Sequence, residues 1–433
     1  MNLTVAALIG LIALIVCIFL GMNIGIAMVA VGFIGYATIK GFPAAISLFK
    51  NVPFTNASNY SLVVVPLFIL MGQFAYKSGL SAGLFNAADK WLSGLRGGLA
   101  YATIIACAGF AAICGSTNAT AATMGVIAMP EMQKAGYDDS ISSASIAAGG
   151  TLGILIPPST SFIIYGIIAE VSIGRLFAAG IIPGIILALC YCLAVYIRIK
   201  RNPSLAPDTK KYSMKERTAS LKGVIGIVIL FLAVIGGMFA GFFSAVEASA
   251  IGATLGFISL ILNKKLTWQN IKESLVESAK MSGMLMFIVI AAYIFGYFLA
   301  VTKVPMTLAD WVISSGANRW AILIAIIIVY IIMGCFMDTL AMILLTVPIF
   351  LPMLEAMGFS PIWFGVLSVL VMETGMITPP VGICCYVTSG VTKVPLGTVF
   401  KGIWPMIGGI LIATAICIAF PQLSLWLPGL LYK

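Results

Sequence analysis

Not one histidine occurs among the 433 residues, which removes the commonest general base, the commonest metal ligand and the usual proton-relay side chain together. Zinc chemistry of the HExxH kind and every histidine-based triad are excluded, and no GxxxxGK[ST] loop offers a seat for ATP. Charge is scarce as well. Asp, Glu, Lys and Arg make up 9% of the chain against 61% hydrophobic residues, and mean hydropathy is +1.13. Such a balance excludes a soluble globule and points to an all-α polytopic membrane protein. The nine cysteines, Cys17, Cys107, Cys190, Cys192, Cys384 and Cys385 among them, sit in apolar stretches without CxxC or Cys/His spacing, so they read as small packing residues. The net charge of +10 sits in short loops between apolar runs, where basic residues report orientation, so no nucleic-acid partner is expected. Met1 to Ile39 has no charge, hence no basic leader region; it suits two short spans broken near Gly21 to Asn23. The expectation is a protein that is not an enzyme and uses no cofactor.

What the chain does have is a proline-broken span. Gly149 to Ser161 reads GGTLGILIPPSTS, inside a charge-free run from Ser140 to Ala169 long enough to cross a bilayer core of about 30 Å. Pro157 and Pro158 lack N–H groups and push Ile156 toward extended geometry, so carbonyls around Gly153 to Ile156 lose their helical partners. The pattern returns 222 residues later as Glu373 to Gly382, ETGMITPPVG. At that one offset Pro130 falls on Pro352, Gly136 on Gly358, Gly153 on Gly375, Gly180 on Gly402 and Pro183 on Pro405. A constant lag over this many positions means a duplicated unit, and Gly/Pro-interrupted spans at matching places in two halves point to a transporter's binding site. The plain alternative is a pair of ordinary proline kinks.

Two further stretches read as re-entrant helical hairpins. Tyr101 to Pro130 is uncharged with Gly115-Ser116-Thr117-Asn118 at its centre, and Trp320 to Leu354 carries Asp338 as its one charge; in each, the two arms are shorter than the ~20 residues a crossing helix needs. An over-long helix with a polar patch is the alternative. Lys77 to Gly98, with Asp89, Lys90, Trp91 and Arg96, reads as an amphipathic arm in the headgroup region, and Met306 to Gly316 as its counterpart. The segment holding Arg198, Lys200, Arg201, Lys210, Lys211, Lys215, Arg217 and Lys222 against Asp208 and Glu216 is cytoplasmic by the positive-inside rule. A short surface helix through Lys272 and Glu277, a crossing from Met281 to Val301 and a final crossing from Ile403 to Phe420 complete the chain. An odd number of crossings separates the two broken spans, so the repeats enter from opposite faces: an inverted-topology repeat with two re-entrant hairpins and two broken helices. The organisation expected is N-terminal scaffold spans over 1–76, a first repeat over 77–184, scaffold spans and basic loops over 185–280, a second repeat over 281–406, and a C-terminal span over 407–433.

Freed carbonyls and nearby oxygens at each tip suit a hard monovalent cation, sodium before others. The first set is Ser116, Thr117 and Asn118 with the backbone of Gly153, Ile154 and Pro157; the second is Asp338 and Thr339 with Thr374, Gly375 and Thr378. Proton coupling through Asp338, Glu373 or Glu247 stays open. Helix N-termini beginning after each tip and break favour an anionic substrate. Ser159, Thr160 and Ser161 are candidate donors to its carboxylate, and Asp338, Glu247 and Glu373 are candidate ionisable groups at the substrate.

The stretches GSTNATAATMGVIAMPEM, GYDDSISSASIAAGGTLGILIPPST, SAVEASAIGA and METGMITPPVG together resemble the large membrane subunit of tripartite ATP-independent periplasmic (TRAP) transporters, over essentially the whole chain. The resemblance implies a sodium-driven elevator transporter of the ion-transporter-superfamily kind, in the bacterial inner membrane. It implies a small four-helix membrane subunit and a periplasmic substrate-binding protein as partners, in the unfused form, and an organic acid such as sialic acid or a C4-dicarboxylate as substrate. Ser116, Asn118, Gly153, Asp338, Thr339, Gly375 and Thr378 match the family's ion-binding tips and breaks. The second tip, GCFMDT, shares little with GSTNAT. A stand-alone sodium/carboxylate symporter or antiporter of similar fold is the alternative, and an intramembrane enzyme a more distant one.

Overall fold

The structure is a computed structural model that describes residues 3–207, 212–314, 316 and 318–432. Asp208, Lys210 and Lys211 of the basic segment lie outside the described residues. All regular elements among them are helices, and eight are long and apolar enough to cross a membrane, with shorter apolar helices between.

The chain opens with α1 (Leu3–Phe19), α2 (Ile24–Lys40), α3 (Phe42–Ala57) and α4 (Val64–Lys77). The Gly21 to Asn23 break is real: Gly21 takes a left-handed φ of 84°, and the Asn23 side chain accepts the N–H of Gly25 to start α2. The more polar stretch after α2 is helical as α3, with Pro43 in its first turn, where a missing N–H costs nothing. α5 (Leu80–Leu92) is the amphipathic arm. It leads into α6 (Gly98–Cys114) and α7 (Thr117–Lys134), an antiparallel pair joined by Gly115 and Ser116.

α8 (Asp139–Leu155) then breaks at the prolines as the sequence dictates. Ile156 is extended at φ −85° and ψ 126°, and α9 (Thr160–Ile168) restarts under a Ser159 cap. α10 (Ile173–Arg201) follows, then α11 (Met214–Ser220), α12 (Lys222–Phe231), a π-helical turn over Leu232–Gly236, α13 (Gly237–Phe239) and α14 (Ala245–Leu262). The surface helix and crossing expected on either side of Met281 are one helix instead, α15 (Trp268–Thr302), because no proline lies at the junction and Gly283, the one glycine there, is accommodated within the helix. The second copy is α16 (Val304–Ser314), α17 (Arg319–Gly334), α18 (Thr339–Ala356), α19 (Pro361–Ile377), α20 (Ile383–Thr392) and α21 (Leu396–Ala419). A terminal α22 (Gln422–Leu431) was not expected. The divisions at 184/185, 280/281 and 406/407 fall inside α10, α15 and α21, which run unbroken through them.

The lag of 222 governs the helix boundaries as well as the prolines. Residues 117, 134, 139 and 155 bound α7 and α8, and 339, 356, 361 and 377 bound α18 and α19. The two broken helices run antiparallel. The start of α8 lies beside Gly402, near the start of α21, where the Arg198 guanidinium donates to the Gly402 carbonyl at 2.8 Å and to the Ser140 hydroxyl at 2.6 Å. The start of α19 lies at the other end of the molecule: the Tyr165 hydroxyl of α9 donates to the Pro361 carbonyl at 2.6 Å, and the Trp363 indole N–H to the Cys417 carbonyl near the end of α21 at 3.0 Å. The copies also interlock, since α20 packs on α7 and α8 while α9 packs on α18 and α19. Around them, α14 and α15 pack on α4, and α15 also on α2 and α3, forming a second group of helices against the duplicated unit. α8 is buried along almost its whole length, and its Ser142, Ser143 and Ser145 hydroxyls return to carbonyls one turn back at 2.9, 2.6 and 2.8 Å, so polar groups in the core stay satisfied.

Candidate functional site

Each proline pair removes the helical i+4 donor from two carbonyls, Gly153 and Ile154 before Pro157 and Pro158, and Gly375 and Met376 before Pro379 and Pro380, although the Gly375 carbonyl takes the Thr378 N–H at 3.0 Å in its place. The hairpin tips pack directly against these breaks. A methyl on Gly153 would stand 2.7 Å from the Ser116 carbonyl and 2.5 Å from the Thr120 hydroxyl, and one on Gly375 would stand 2.5 Å from the Gly334 α-carbon. Only glycine permits such approach. The first tip is also tied to the restart of its broken helix, where the Thr160 hydroxyl donates to the Gly115 carbonyl at 2.7 Å.

The two tips correspond in a register that the glycines conceal. Ser116 caps α7 and accepts the Ala119 N–H at 3.4 Å, while Asp338 caps α18 and accepts the Leu340 N–H at 3.2 Å. Thr117 and Thr339, each the first residue of its helix, are likewise 222 apart. They meet at one group. The Glu373 carboxylate, 0% exposed, accepts the Thr117 hydroxyl on Oε2 and the Thr339 hydroxyl on Oε1, both at 2.7 Å. One side chain thus joins the two tips. Its counterpart in the first copy is Thr151, which bonds the Tyr191 hydroxyl at 2.8 Å.

Between the tips and the α4/α15 wall lies a cavity of about 470 Å³. Ser116, Asn118, Thr160 and Asp338 line it from the duplicated unit, Gln73 and Met284 from the wall. Larger cavities of about 740, 730 and 580 Å³ lie elsewhere on the molecule, but none of these touches a tip or a break. The chemistry converges on the smaller one, whose size suits a small organic ligand.

Of the residues singled out from sequence, Ser116, Asn118, Thr160 and Asp338 reach this cavity together. Thr117, Thr339 and Glu373 form the sealed bridge beside it. Gly153, Ile154 and Pro157 belong to the first break, and Thr374, Gly375 and Thr378 to the second; there the Thr374 and Thr378 hydroxyls return to the Leu370 and Thr374 carbonyls at 3.1 and 2.6 Å, and the Gly375 carbonyl accepts the Thr378 N–H at 3.0 Å. Ser159 is buried as the cap of α9, with its hydroxyl accepting the Phe162 N–H, and Ser161 is buried behind it. Glu247 stands apart: it is exposed at the start of α14, in a reciprocal capping box with Ser244. Two further residues belong to the site. Thr120 is 0% exposed, and its hydroxyl, one turn after Ser116 and against Gly153, has the Cys114 thiol beside it and no nitrogen or oxygen partner among the described residues. Gln73 is the lone amide in the apolar run of α4. A helical-wheel reading of STNAT and the isolation of that amide were the signals available.

No cluster of three or more Cys, Asp or Glu side chains able to hold a metal occurs among the described residues. The likeness to known proteins fits the geometry. A model of the tripartite ATP-independent periplasmic transporter DctM component matches residues 11–423. A C4-dicarboxylate TRAP transporter large permease protein of Pseudomonas aeruginosa is 35% identical over 404 residues, covering 92% of this chain and 94% of that protein. The sialic acid TRAP transporter large permease protein of Vibrio cholerae is 30% identical, covering 95% and 96%. Among solved structures, the YdaH transporter of Alcanivorax borkumensis superposes with a TM-score of 0.62 at 13% identity, covering 89% of each chain, and Neisseria gonorrhoeae MtrF with a TM-score of 0.54 at 16% identity, covering 90% and 85%; these show likeness of fold. With a family model spanning nearly its full length and relatives matched end to end, this polytopic membrane chain belongs to the DctM component family of the tripartite ATP-independent periplasmic transporters.

Proposed function

We propose that the chain is the large permease of a sodium-coupled uptake system for a carboxylate-bearing organic acid of the C4-dicarboxylate or sialic acid kind. It would reside in the bacterial inner membrane, receive substrate from a periplasmic binding protein and work beside a small membrane subunit. The observation that carries the reading is the duplicated tip-on-break arrangement closing around one cavity. The N-termini of α7, α9 and α18 gather there, and helix N-termini favour anions. The carbonyls of Gly153, Ile154, Gly375 and Met376, together with the Thr120 hydroxyl and the Asp338 carboxylate, are oxygens of the kind that replace a sodium hydration shell. In this reading α6–α7 and α17–α18 are re-entrant hairpins entering from opposite faces. The duplicated unit is the moving part, and the group formed by α2, α4, α14 and α15 is the scaffold past which it slides.

Uptake into proteoliposomes tests this. The chain with its small subunit should accumulate labelled acid only when the binding protein and an inward sodium gradient are both supplied, and Asp338→Ala should abolish sodium dependence while the protein still elutes as a folded species. Full-rate uptake without binding protein would instead establish a stand-alone symporter of similar fold. Unchanged sodium dependence in Asp338→Ala would remove that carboxylate from the ion site.

A further inference from the structure

A cavity of about 740 Å³ forms a groove between α10 and α21 at the basic end of the molecule, with no tip residue in its lining. Its walls are apolar and open outward: Leu193 is 51% exposed, Ile197 42% and Ile412 53%. Its mouth holds Arg198, Arg201 and Lys401 against the single carboxylate of Asp138. Arg198 is committed to the Gly402 carbonyl and the Ser140 hydroxyl. Arg201 and Lys401 are exposed, and neither enters an ion pair among the described residues. The local field is positive. Burial tends to raise Asp138, yet the Ser140 N–H and hydroxyl, with Arg198 and Lys401, outweigh it and hold the carboxyl below its ordinary range.

The duplication supplies an internal comparison. Shifted by 222, the corner of Asp138, Ser140, Arg198 and Arg201 becomes Ser360, Ile362, Phe420 and Leu423, and Lys401 falls on Ala179. Pro183 and Pro405 correspond at this crossing, whereas the charges have no counterpart. The basic groups are an addition to one end only, and that end is the one whose loops carry the excess of Lys and Arg.

We infer that this groove seats an anionic phospholipid of the cytoplasmic leaflet, its phosphate between Arg201 and Lys401 and its acyl chains along Leu193, Ile197 and Ile412. Two unpaired cations match a phosphate, and an exposed apolar track running from them into the bilayer matches a diacyl tail in a way no free phosphate needs. The site lies on the duplicated unit, so lipid would travel with it if that unit moves.

Native mass spectrometry of the purified chain in neutral detergent tests this, titrating phosphatidylglycerol, phosphatidylcholine and glycerol 3-phosphate separately. Phosphatidylglycerol should bind more tightly than phosphatidylcholine, and Arg201→Gln with Lys401→Gln should weaken it roughly 25-fold, since each basic group near an anionic lipid contributes about fivefold. The charge-preserving pair Arg201→Lys with Lys401→Arg should keep binding, which separates charge from any loss of folding. Equal binding of the two lipids, unchanged binding in the double Gln variant, or an equal loss in Lys264→Gln with Lys265→Gln would overturn the inference. Displacement of the lipid by glycerol 3-phosphate at matched concentration would overturn it too, showing a phosphate site without a lipid one.

Discussion

Thr117 and Thr339 converge on Glu373 from two copies of the same motif, so one carboxylate decides how the hairpin tips sit against each other. Thr117→Val and Thr339→Val keep side-chain shape and delete one donor each. Removing a hydrogen bond to a buried acceptor costs about 1–3 kcal/mol, so each variant should lose that much stability to unfolding in detergent. Because both act through one carboxylate, the double variant should depart from additivity by about 0.5–3 kcal/mol, and the coupling should vanish in a Glu373→Leu background. Glu373→Gln separates geometry from ionisation. Glutamine accepts from one threonine and donates to the other, so the bridge and most of the stability survive while the group can neither lose a proton nor face a cation as an anion. If the tips move as a joined pair, the two valine variants should slow proteoliposome uptake together with their loss of stability. Glu373→Gln should leave stability near that of the parent chain and report on charge alone. Strict additivity of Thr117→Val and Thr339→Val, with the same cost of each in the Glu373→Leu background, would refute the bridge.

Packing at the breaks makes a second expectation. Gly375→Ala forces a methyl to 2.5 Å from the Gly334 α-carbon, backbone that cannot step aside, and overpacking of this kind costs about 1–3 kcal/mol or more; Gly390→Ala, with nothing within 4 Å, should be neutral or slightly stabilising in the same detergent melts. Gly375→Ala melting with the parent would show that the tip does not press on the break. At the basic end, burial raises Asp89 above its ordinary range, although the Tyr212 hydroxyl bond lowers it in part. A raised acid contributes stability below its unfolded pKa and loses it as pH climbs through the folded value. Asp89→Asn should therefore gain melting temperature over the parent at neutral pH, the gain shrinking as pH falls toward the carboxylate range. A difference that does not change with pH would refute the assignment.

The sequence by itself determined the class of molecule, the duplication and the places where helices must stop. Those follow from local covalent facts: hydrocarbon tolerates few charges, Pro157 and Pro379 have no N–H, and a single lag cannot persist by accident across Pro130, Gly153, Gly180 and Pro183. The extra reach of α15 was not legible, since a helix runs on through an interface where no proline stops it, and neither was α22, a short helix that restarts at Gln422 after Pro421. Only tertiary structure decided which groups meet. Reading the tips from their glycines hid the pairing of Ser116 with Asp338 and Thr117 with Thr339, because the loop before each cap differs while the caps themselves obey the lag. Nothing local to Glu373 says that its two oxygens reach hydroxyls 256 and 34 residues away. Glu247 is the opposite case, because Ser244-Ala-Val-Glu247 before an apolar run is the local signature of the capping box that starts α14. Local geometry is written in each residue's own bonds, but a site is a set of distances between segments, and those are fixed only when the core that buries them is packed.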